Sequence, residues 1–245
     1  MSRLPSIRAW FVAVVTAVVV LHTGAAFAML CDTGTPSRPL PVRATRTLDS
    51  TPAPRPRIRD DLIPYGARRR HEMARYSRRH YGRARWRLIH PKVIVLHFTG
   101  GNSYSSAWNT FASNTPELGE LPGVCAHFIV GQRGTIYRLV PAFIRCRHTI
   151  GLNYTAIGIE MVQPTGAGSH WADQQILHRR RQIRAALRLV RWLRSRHHVR
   201  MRNVIGHAMA NSSPLFKDLE GWRNTHTDWL RRDVKVFRRR LARMS

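Results

Sequence analysis

The chain has 245 residues, enough for one domain with a substantial core and flanking segments. Its 41 Lys and Arg residues against 13 Asp and Glu give a formal net charge of +28, and nearly all of the cations are arginines. This balance disfavours cationic partners and predicts attraction to polyanions, either nucleic acid or an anionic envelope polymer, although a merely solvated arginine-rich surface has the same composition.

Residues 1–28 are predicted to be an export signal. Arg3 and Arg8 precede the apolar run AWFVAVVTAVVVL at 9–21. The small-x-small sequence AFA predicts cleavage after Ala28. An uncleaved membrane anchor is the alternative, but the run is shorter than the ~20 apolar residues that a stable membrane span needs. The sequence therefore predicts a secreted or cell-envelope protein, located in the periplasm or the cell wall.

Residues 29–59 are rich in Pro, Thr, Ser and Arg. They are predicted to form a disordered linker, because they contain too few apolar residues for a core. Residues 60–245 are then predicted to form one domain. Export permits disulfides, so Cys125 and Cys146 could pair within this domain. Cys31 would then be the remaining cysteine, outside that pair. The sequence alone does not fix the pairing.

The domain begins with a short basic helix, predicted from RRHEMARYSRRHYG to end at Gly82. Strands are predicted at 92–100, 126–131, 156–162 and 203–207, and GQRGTIYRLV at 131–140 predicts a tight turn and the second arm of a hairpin. Apolar residues at helical spacing predict helices over 173–198 and 229–241. Strands alternating with helices predict an α/β domain around a mostly buried sheet.

Two histidines follow short apolar strands. His97 follows VIVL and shares a strand face with Val95 and Thr99, and His207 ends NVIGH. One such histidine alone is more often a hydrogen-bonded core residue. Two histidines at the ends of two strands favour a metal pair, and a catalytic zinc needs three protein ligands and one open position.

Glu160 is the only charged residue in the predicted strand AIGIEMV. Ala156 and Gly158 share its face, so two small residues beside a carboxylate should leave room for a substrate or an activated water. A surface glutamate on a half-exposed strand is the alternative. Beside zinc, a buried carboxylate would suit the work of a general base.

Four segments occur in a fixed order between about residues 88 and 230: VIVLHFTGG, GVCAHFIVGQRGTIYRLVP, RHTIGLNYTAIGIEMV, and VIGH followed by THTDW. Together they resemble the amidase-2 family of zinc-dependent N-acetylmuramoyl-L-alanine amidases, which is related to phage amidase lysozymes and peptidoglycan-recognition proteins. The resemblance implies a central mixed β-sheet flanked by helices, with zinc in a groove on one face. It also implies a reaction, in which zinc-activated water hydrolyses the amide between N-acetylmuramic acid and L-alanine in peptidoglycan.

The resemblance also implies roles for three single residues. His97 and His207 match the first two zinc ligands, and Glu160 matches the carboxylate that activates the water in many members. A position that is a catalytic tyrosine in some phage-type members is Ala126 here, which leaves more of the proton transfer to the glutamate.

The third ligand is less well defined. Many members end their site with a basic residue, one further residue and an aspartate ligand, and HTD at 226–228 fits this pattern. Asp228 is therefore predicted as the third ligand, and His226 is predicted to stabilise the oxyanion as an imidazolium. The 21 residues from His207 to Asp228 exceed the spacing in compact members. This leaves two alternatives open, ligation by His226 and ligation by Asp218.

Four other residues have weaker predicted roles. His148 is predicted to contact substrate, because relatives often have a groove-lining histidine there. Trp108 and Asn109 are predicted to line the groove where aromatic faces meet sugar rings, with core packing as the alternative for Trp108. His127 matches a common family histidine and is predicted to be structural.

The prediction from sequence is a monomeric zinc amidase with peptidoglycan as its substrate. A non-catalytic peptidoglycan-binding module of the same fold is the alternative, but a pure receptor tends to lose a zinc ligand. A specific nucleic-acid partner is disfavoured by the export signal and by the lack of a recognised nucleic-acid motif. The arginine stripe on the predicted helix 173–198 is either a solvated face or a contact for anionic envelope polymers; it comprises Arg180, Arg184, Arg188 and Arg191.

Overall fold

The computed structural model describes residues 52–244. The predicted export signal, its cleavage site, Cys31 and most of the predicted linker lie outside the described residues. Six strands form one mixed sheet in the order β1-β4-β3-β5-β2-β6. The strands are β1 (Arg59–Asp60), β2 (Val93–Gly100), β3 (Phe128–Val130), β4 (Ile136–Arg138), β5 (Ala156–Pro164) and β6 (Val204–Gly206). Five α-helices flank the sheet, namely α1 (Ala67–Tyr81), α2 (Tyr104–Ala112), α3 (Ser169–His178), α4 (Arg180–His197) and α5 (Arg231–Ala242).

The centre of the sheet consists of parallel strands. β2 pairs with both β5 and β6, and β3 pairs with β5, all in parallel, whereas β3 and β4 form the predicted antiparallel hairpin. β2 and β5 are apolar on both faces and almost entirely buried, as expected for parallel strands covered on two sides. Their register places His97 directly beside Glu160. The two polar residues that interrupt these apolar strands are therefore neighbours.

The helices differ from prediction in one place. The segment predicted as one helix over 173–198 forms two, because Arg179 has a non-helical ψ of 89° between α3 and α4. No glycine or proline marks this break, so the apolar periodicity appeared continuous. α1 ends as predicted at Gly82, whose φ of 78° closes the helix in the left-handed conformation that glycine favours. Among the described residues, no helix has the length and apolar character needed to cross a membrane.

The segment before residue 60 also contacts the domain. β1 extends the sheet by pairing in parallel with β4. The Ala53 amide donates a hydrogen bond to Ser195 Oγ, and the Arg55 guanidinium lies 5.7 Å from the centre of the Trp192 ring. Residues 52–59, assigned to the linker from composition, thus have ordered contacts with α4.

A disulfide joins Cys125 to Cys146, the pairing that the sequence allowed without fixing. It links the approach to β3 with the segment that carries Arg147 and His148, and the Cys125 amide donates a hydrogen bond to the Arg147 carbonyl. The crosslink therefore fixes the segment that leads into the candidate site.

Candidate active site

Three side chains that can bind a metal meet at one edge of the sheet. His97 lies in β2 and His207 follows β6 directly, so the parallel pairing of β2 with β6 brings both rings to the same edge. The two Nδ1 atoms are 3.0 Å apart. Asp228 places Oδ1 3.1 Å from His207 Nδ1 and Oδ2 3.3 Å from His97 Nδ1. All three residues are buried, and all line one cavity.

The electrostatics of this cluster suit metal binding. Burial and the nearby His207 lower the pKa of His97 to about 4, so the ring is neutral, as a metal-binding imidazole must be. Burial alone would raise the pKa of Asp228, but the two histidines hold it well below its usual range. Two imidazole nitrogens and a carboxylate oxygen facing a cavity match the donor set of a catalytic zinc site. The His97–His207–Asp228 group could therefore hold a metal ion.

The backbone around Asp228 is fixed from two sides. Trp229 has a φ of 56°, which is unfavourable for a side chain of this size. Asp173 compensates by accepting hydrogen bonds from the amides of Trp229 and Leu230, at 3.0 and 2.8 Å. The Trp229 indole N–H donates to the His97 carbonyl at 3.2 Å. A Cβ at Gly206 would lie 1.8 Å from the Trp229 carbonyl oxygen, so only glycine fits there.

The two other candidates for the third ligand do not contribute an atom to this cluster. The His226 ring stacks on His207, with centroids 4.5 Å apart, and lines the cavity rather than joining the three converging donors. Burial and then His207 lower the pKa of His226, which argues against the predicted imidazolium, but a neutral ring keeps one N–H donor. Asp218 instead pairs with buried His80, at 2.8 Å, against α1.

Glu160 lies beside His97 in the sheet and lines the same cavity. It is 8% exposed, and its Oε2 atom has no hydrogen-bond partner among the described residues. Burial, followed by the charge of Asp228, raises the pKa of Glu160 well above its usual value. A buried carboxylate with a free oxygen beside a metal-binding cluster is suited to exchange protons with a bound molecule.

The family comparison agrees with this arrangement. The family described as N-acetylmuramoyl-L-alanine amidase (Amidase_2) matches residues 87–228, which is more than half of the chain and includes every residue of the cluster. The chain belongs to this family. It is an enzyme of the peptidoglycan amidase class.

Solved structures similar to this amidase include phage-type and bacterial enzymes. They include the catalytic domain of XlyA, at 19% identity over 64% of this chain and 88% of that chain, with a TM-score of 0.44. The amidase LysC from Clostridium intestinale is 17% identical over 74% and 97%, with a TM-score of 0.46. AmiD from E. coli is 25% identical over 49% of each chain, with a TM-score of 0.38. No curated protein matches the chain.

His148 contacts His97 and also lines the cavity of the amidase. Its Nε2–H points to the Ala156 carbonyl at 3.4 Å, and its Nδ1 faces both His97 Nε2 at 3.1 Å and the Thr149 hydroxyl at 2.8 Å. A Cβ at Gly158 would lie 2.7 Å from this ring. The space predicted beside Glu160 for substrate is thus occupied at Gly158 by His148. We infer that this histidine orients His97, a contact that the sequence did not reveal.

His127 has a purely structural environment. It is fully buried, its Nε2–H donates to the Ile144 carbonyl at 2.8 Å, and its Nδ1 accepts the Gly158 amide at 3.0 Å. Both ring nitrogens are therefore satisfied in one neutral tautomer, and burial lowers the pKa to about 4. Ala126, where some relatives carry a tyrosine, is buried in the core and offers no group to the cavity.

Trp108 and Asn109, which the sequence predicted to line the groove, are not among the residues that line this cavity. The segment forms α2, and Trp108 points away from the cavity, where its indole N–H donates to the Asp61 carbonyl at 3.0 Å. The cavity is lined instead by Ser103, which caps the start of α2, and by Ser106, Ala107 and Thr110 of that helix. These positions follow the i, i+3, i+4, i+7 spacing of one helix face, so recognising a helix here would have grouped them without showing that this face meets the cavity.

Arg147 is a cavity residue that the sequence reading missed. It is buried, its Nη1 donates to the carbonyls of Glu120 and Pro122, and its Nη2 donates to the Glu117 carbonyl. These bonds hold the loop that forms one rim of the cavity, where Glu117 and the exposed Leu118 face the opening. The sequence signal was an arginine directly before His148 in a segment that already carried the family resemblance.

Proposed function

We propose that this chain is a zinc-dependent amidase that hydrolyses the bond between N-acetylmuramic acid and L-alanine in peptidoglycan. This proposal rests mainly on the convergence of His97, His207 and Asp228 beside the buried carboxylate of Glu160, which has a free oxygen atom. A cavity of about 330 Å³ with both polar and apolar walls opens on this group. Family membership supports amidase activity in general, and the donor set favours zinc.

The bound metal would supply a Lewis acid that activates water and polarises the amide carbonyl. Glu160 would take the proton from the attacking water as the carbon–oxygen bond forms. It would return that proton to the L-alanine nitrogen as the carbon–nitrogen bond breaks, which leaves a carboxylate on the muramic acid lactyl group and a free amine. The free Oε2 atom of Glu160 and its raised pKa suit both steps.

His226 would stabilise the oxyanion that forms on the attacked carbonyl. Its ring lines the cavity beside His207, and Asn224 fixes the backbone here by donating to the carbonyls of both His207 and His226 at 3.1 Å. A donor held in place before the reaction stabilises the developing charge without reorganisation. His148 would keep His97 in the tautomer whose Nδ1 faces the metal.

We also propose that the enzyme is secreted or held in the cell envelope and acts as a monomer. The export signal predicted over residues 1–28 supports this location, and the disulfide between Cys125 and Cys146 suits an oxidising compartment. The stripe on α4 is exposed at Arg180, Arg184 and Arg188, as a contact for anionic envelope polymers would require.

Metal content and product identity test this function together. The purified full chain is expected to hold about one zinc per molecule. Incubation with a soluble muramoyl-peptide should release a peptide with a free L-alanine amine, identified by mass. Dialysis against a chelator should remove the activity, and zinc should restore it more fully than magnesium, which prefers oxygen ligands. A chain that holds no zinc and cleaves nothing, yet binds sacculi, would instead be a recognition module.

A further inference from the structure

A second cavity, of about 470 Å³, opens at the opposite edge of the sheet from the metal-binding cluster. Lys92 and Thr155 line it and stand directly before β2 and β5. His97 and Glu160 lie five residues further along the same two strands, which corresponds to roughly 16 Å at about 3.3 Å per residue. A molecule in this second cavity is therefore too distant to take part in the amide hydrolysis.

The lining of this cavity is cationic and contains no carboxylate. Its fixed cations are Arg83, Arg85, Lys92, Arg145 and Lys217, and His90 lies among them. None of these five cations forms an ion pair with any carboxylate in residues 52–244. Like charges gathered around one concave site repel each other and favour an anion.

Arg145 gives the cavity a buried donor that lacks a partner. It is only 7% exposed, and its Nε atom has no hydrogen-bond partner among the described residues. Its Nη1 donates to the Arg85 carbonyl at 3.2 Å. Burial, opposed only by two tyrosines, lowers the pKa of Arg145 to about 10, although the group stays charged at neutral pH. A buried cation without an anion is costly, so a ligand with acceptor oxygens would stabilise it.

The unusually long segment between His207 and Asp228 supplies one wall of the cavity. Lys217 donates from Nζ to the Tyr81 carbonyl at 3.2 Å, and its amide donates to the Gly151 carbonyl at 2.9 Å. The next residue, Asp218, is held by His80 at 2.8 Å. The added length thus builds a fixed wall that places a lysine beside the cluster of arginines.

We propose that this basic cavity binds a phosphate group, carried either by an anionic polymer or by a lipid headgroup. An arginine presents a planar fork of N–H donors that matches phosphate oxygens, and lysines add point charges that suit a multiply charged anion. The five cations carry more positive charge than a single carboxylate would neutralise. The cavity would hold the amidase near phosphate-bearing surfaces while the catalytic edge of the sheet remains free for substrate.

Phosphate titration of the full chain tests this proposal. Backbone amide NMR shifts on adding inorganic phosphate, against chloride at equal ionic strength, should centre on the segments around residues 83–92, 145, 155 and 217. Lys92→Gln with Lys217→Gln should weaken phosphate binding by about tenfold or more, as expected for losing charge-assisted contacts. Lys235→Gln with Arg239→Gln removes the same charge from the exposed face of α5 and is expected to change phosphate binding by less than about threefold at ~0.15 M salt.

Two further arms identify the source of the phosphate. Binding is measured to poly(glycerol phosphate) and to vesicles of phosphatidylglycerol mixed with phosphatidylcholine. Loss of either interaction in the Lys92/Lys217 variant, but not in the Lys235/Arg239 variant, supports the site and identifies its source. Both variants should retain wild-type hydrolysis of a soluble muramoyl-peptide, so failure here would be distinct from failure of the amidase assignment. Equal weakening by both variants, or phosphate shifts spread over the whole surface, would overturn the proposal.

Discussion

The two ends of the parallel strands have opposite chemistry. At their carboxyl ends, two histidines, Asp228 and Glu160 meet in one cavity. At their amino ends, five cations meet in another cavity without any lining carboxylate. Two of the few acids, Asp228 and Glu160, thus lie where the proposed metal binding and proton transfer would require them.

Removing one of the proposed metal ligands should have the largest effect on activity. This effect should be limited to the cavity at the carboxyl ends of the strands. Asp228→Ala and His97→Ala are expected to lose bound zinc and to lower kcat/KM by about a thousandfold or more, since the Lewis acid supplies several kcal/mol. His226→Ala should keep the metal. Asp218→Asn should keep both the metal and the activity. Zinc analysis beside each assay separates these outcomes, and zinc loss in His226→Ala would exchange the roles of His226 and Asp228.

Glu160→Gln keeps the shape of the side chain but removes its basicity. It should retain zinc and lower kcat by about a hundredfold or more, the usual range for losing a general base. Glu117→Gln removes the same charge from the exposed rim of the same cavity and should cost less than about threefold. Similar losses in both variants would indicate a general charge effect, and proton transfer would then need another residue.

The sequence predicted these central residues because each breaks a pattern. Glu160 is the sole charge in an apolar strand, and His97 and His207 each follow a short apolar run, so a sheet with parallel strands was sufficient to bring them together. The residues of α2 that line the cavity were harder to predict. Ser106 and Thr110 of α2 are common on any exposed helix, and only the three-dimensional fold shows which face meets the cavity.

The basic cavity could not be predicted from sequence either. Arg145, Lys92 and Lys217 are far apart in the chain, and each is one of many cations. Their distinguishing property is that they line one cavity, which depends on tertiary contacts. The same limit applies to α3 and α4, where a continuous apolar pattern concealed the break at Arg179.

The pH dependence of folding stability tests the structural role of His127. Its pKa is about 4 when folded and about 6.5 when exposed, so only the unfolded chain binds a proton between these values. Stability from this group is complete above pH ~6.5 and falls as the pH drops towards ~4, by at most about 3 kcal/mol. The His127→Asn variant should be less stable than wild type at pH 7 by about 1–3 kcal/mol.

The difference between the two proteins should shrink as the pH falls, because the variant lacks this titration. Chemical unfolding of both proteins across pH 4–8, with metal removed, measures it. His97 and His148 titrate in both proteins, so their contributions largely cancel in the difference. A constant difference across this range would show that folding leaves the pKa of His127 unchanged, which would contradict a buried ring whose Nδ1 accepts the Gly158 amide.

Asp173 shows that the carboxyl edge depends on an acid outside the cavity. Asp173→Asn leaves one of the amides of Trp229 and Leu230 facing an NH₂ group, so the conformation at Trp229 loses support. We expect a loss of about 1–3 kcal/mol in stability and a 10–100-fold weaker affinity for zinc, measured by chelator competition. Asp60→Asn, on an exposed carboxylate paired with Arg138, should cost at most about 1 kcal/mol and leave zinc affinity unchanged. If Asp173→Asn loses stability but binds zinc as tightly as wild type, Asp173 supports the fold alone, and Asp228 is positioned by its contacts with the two histidines.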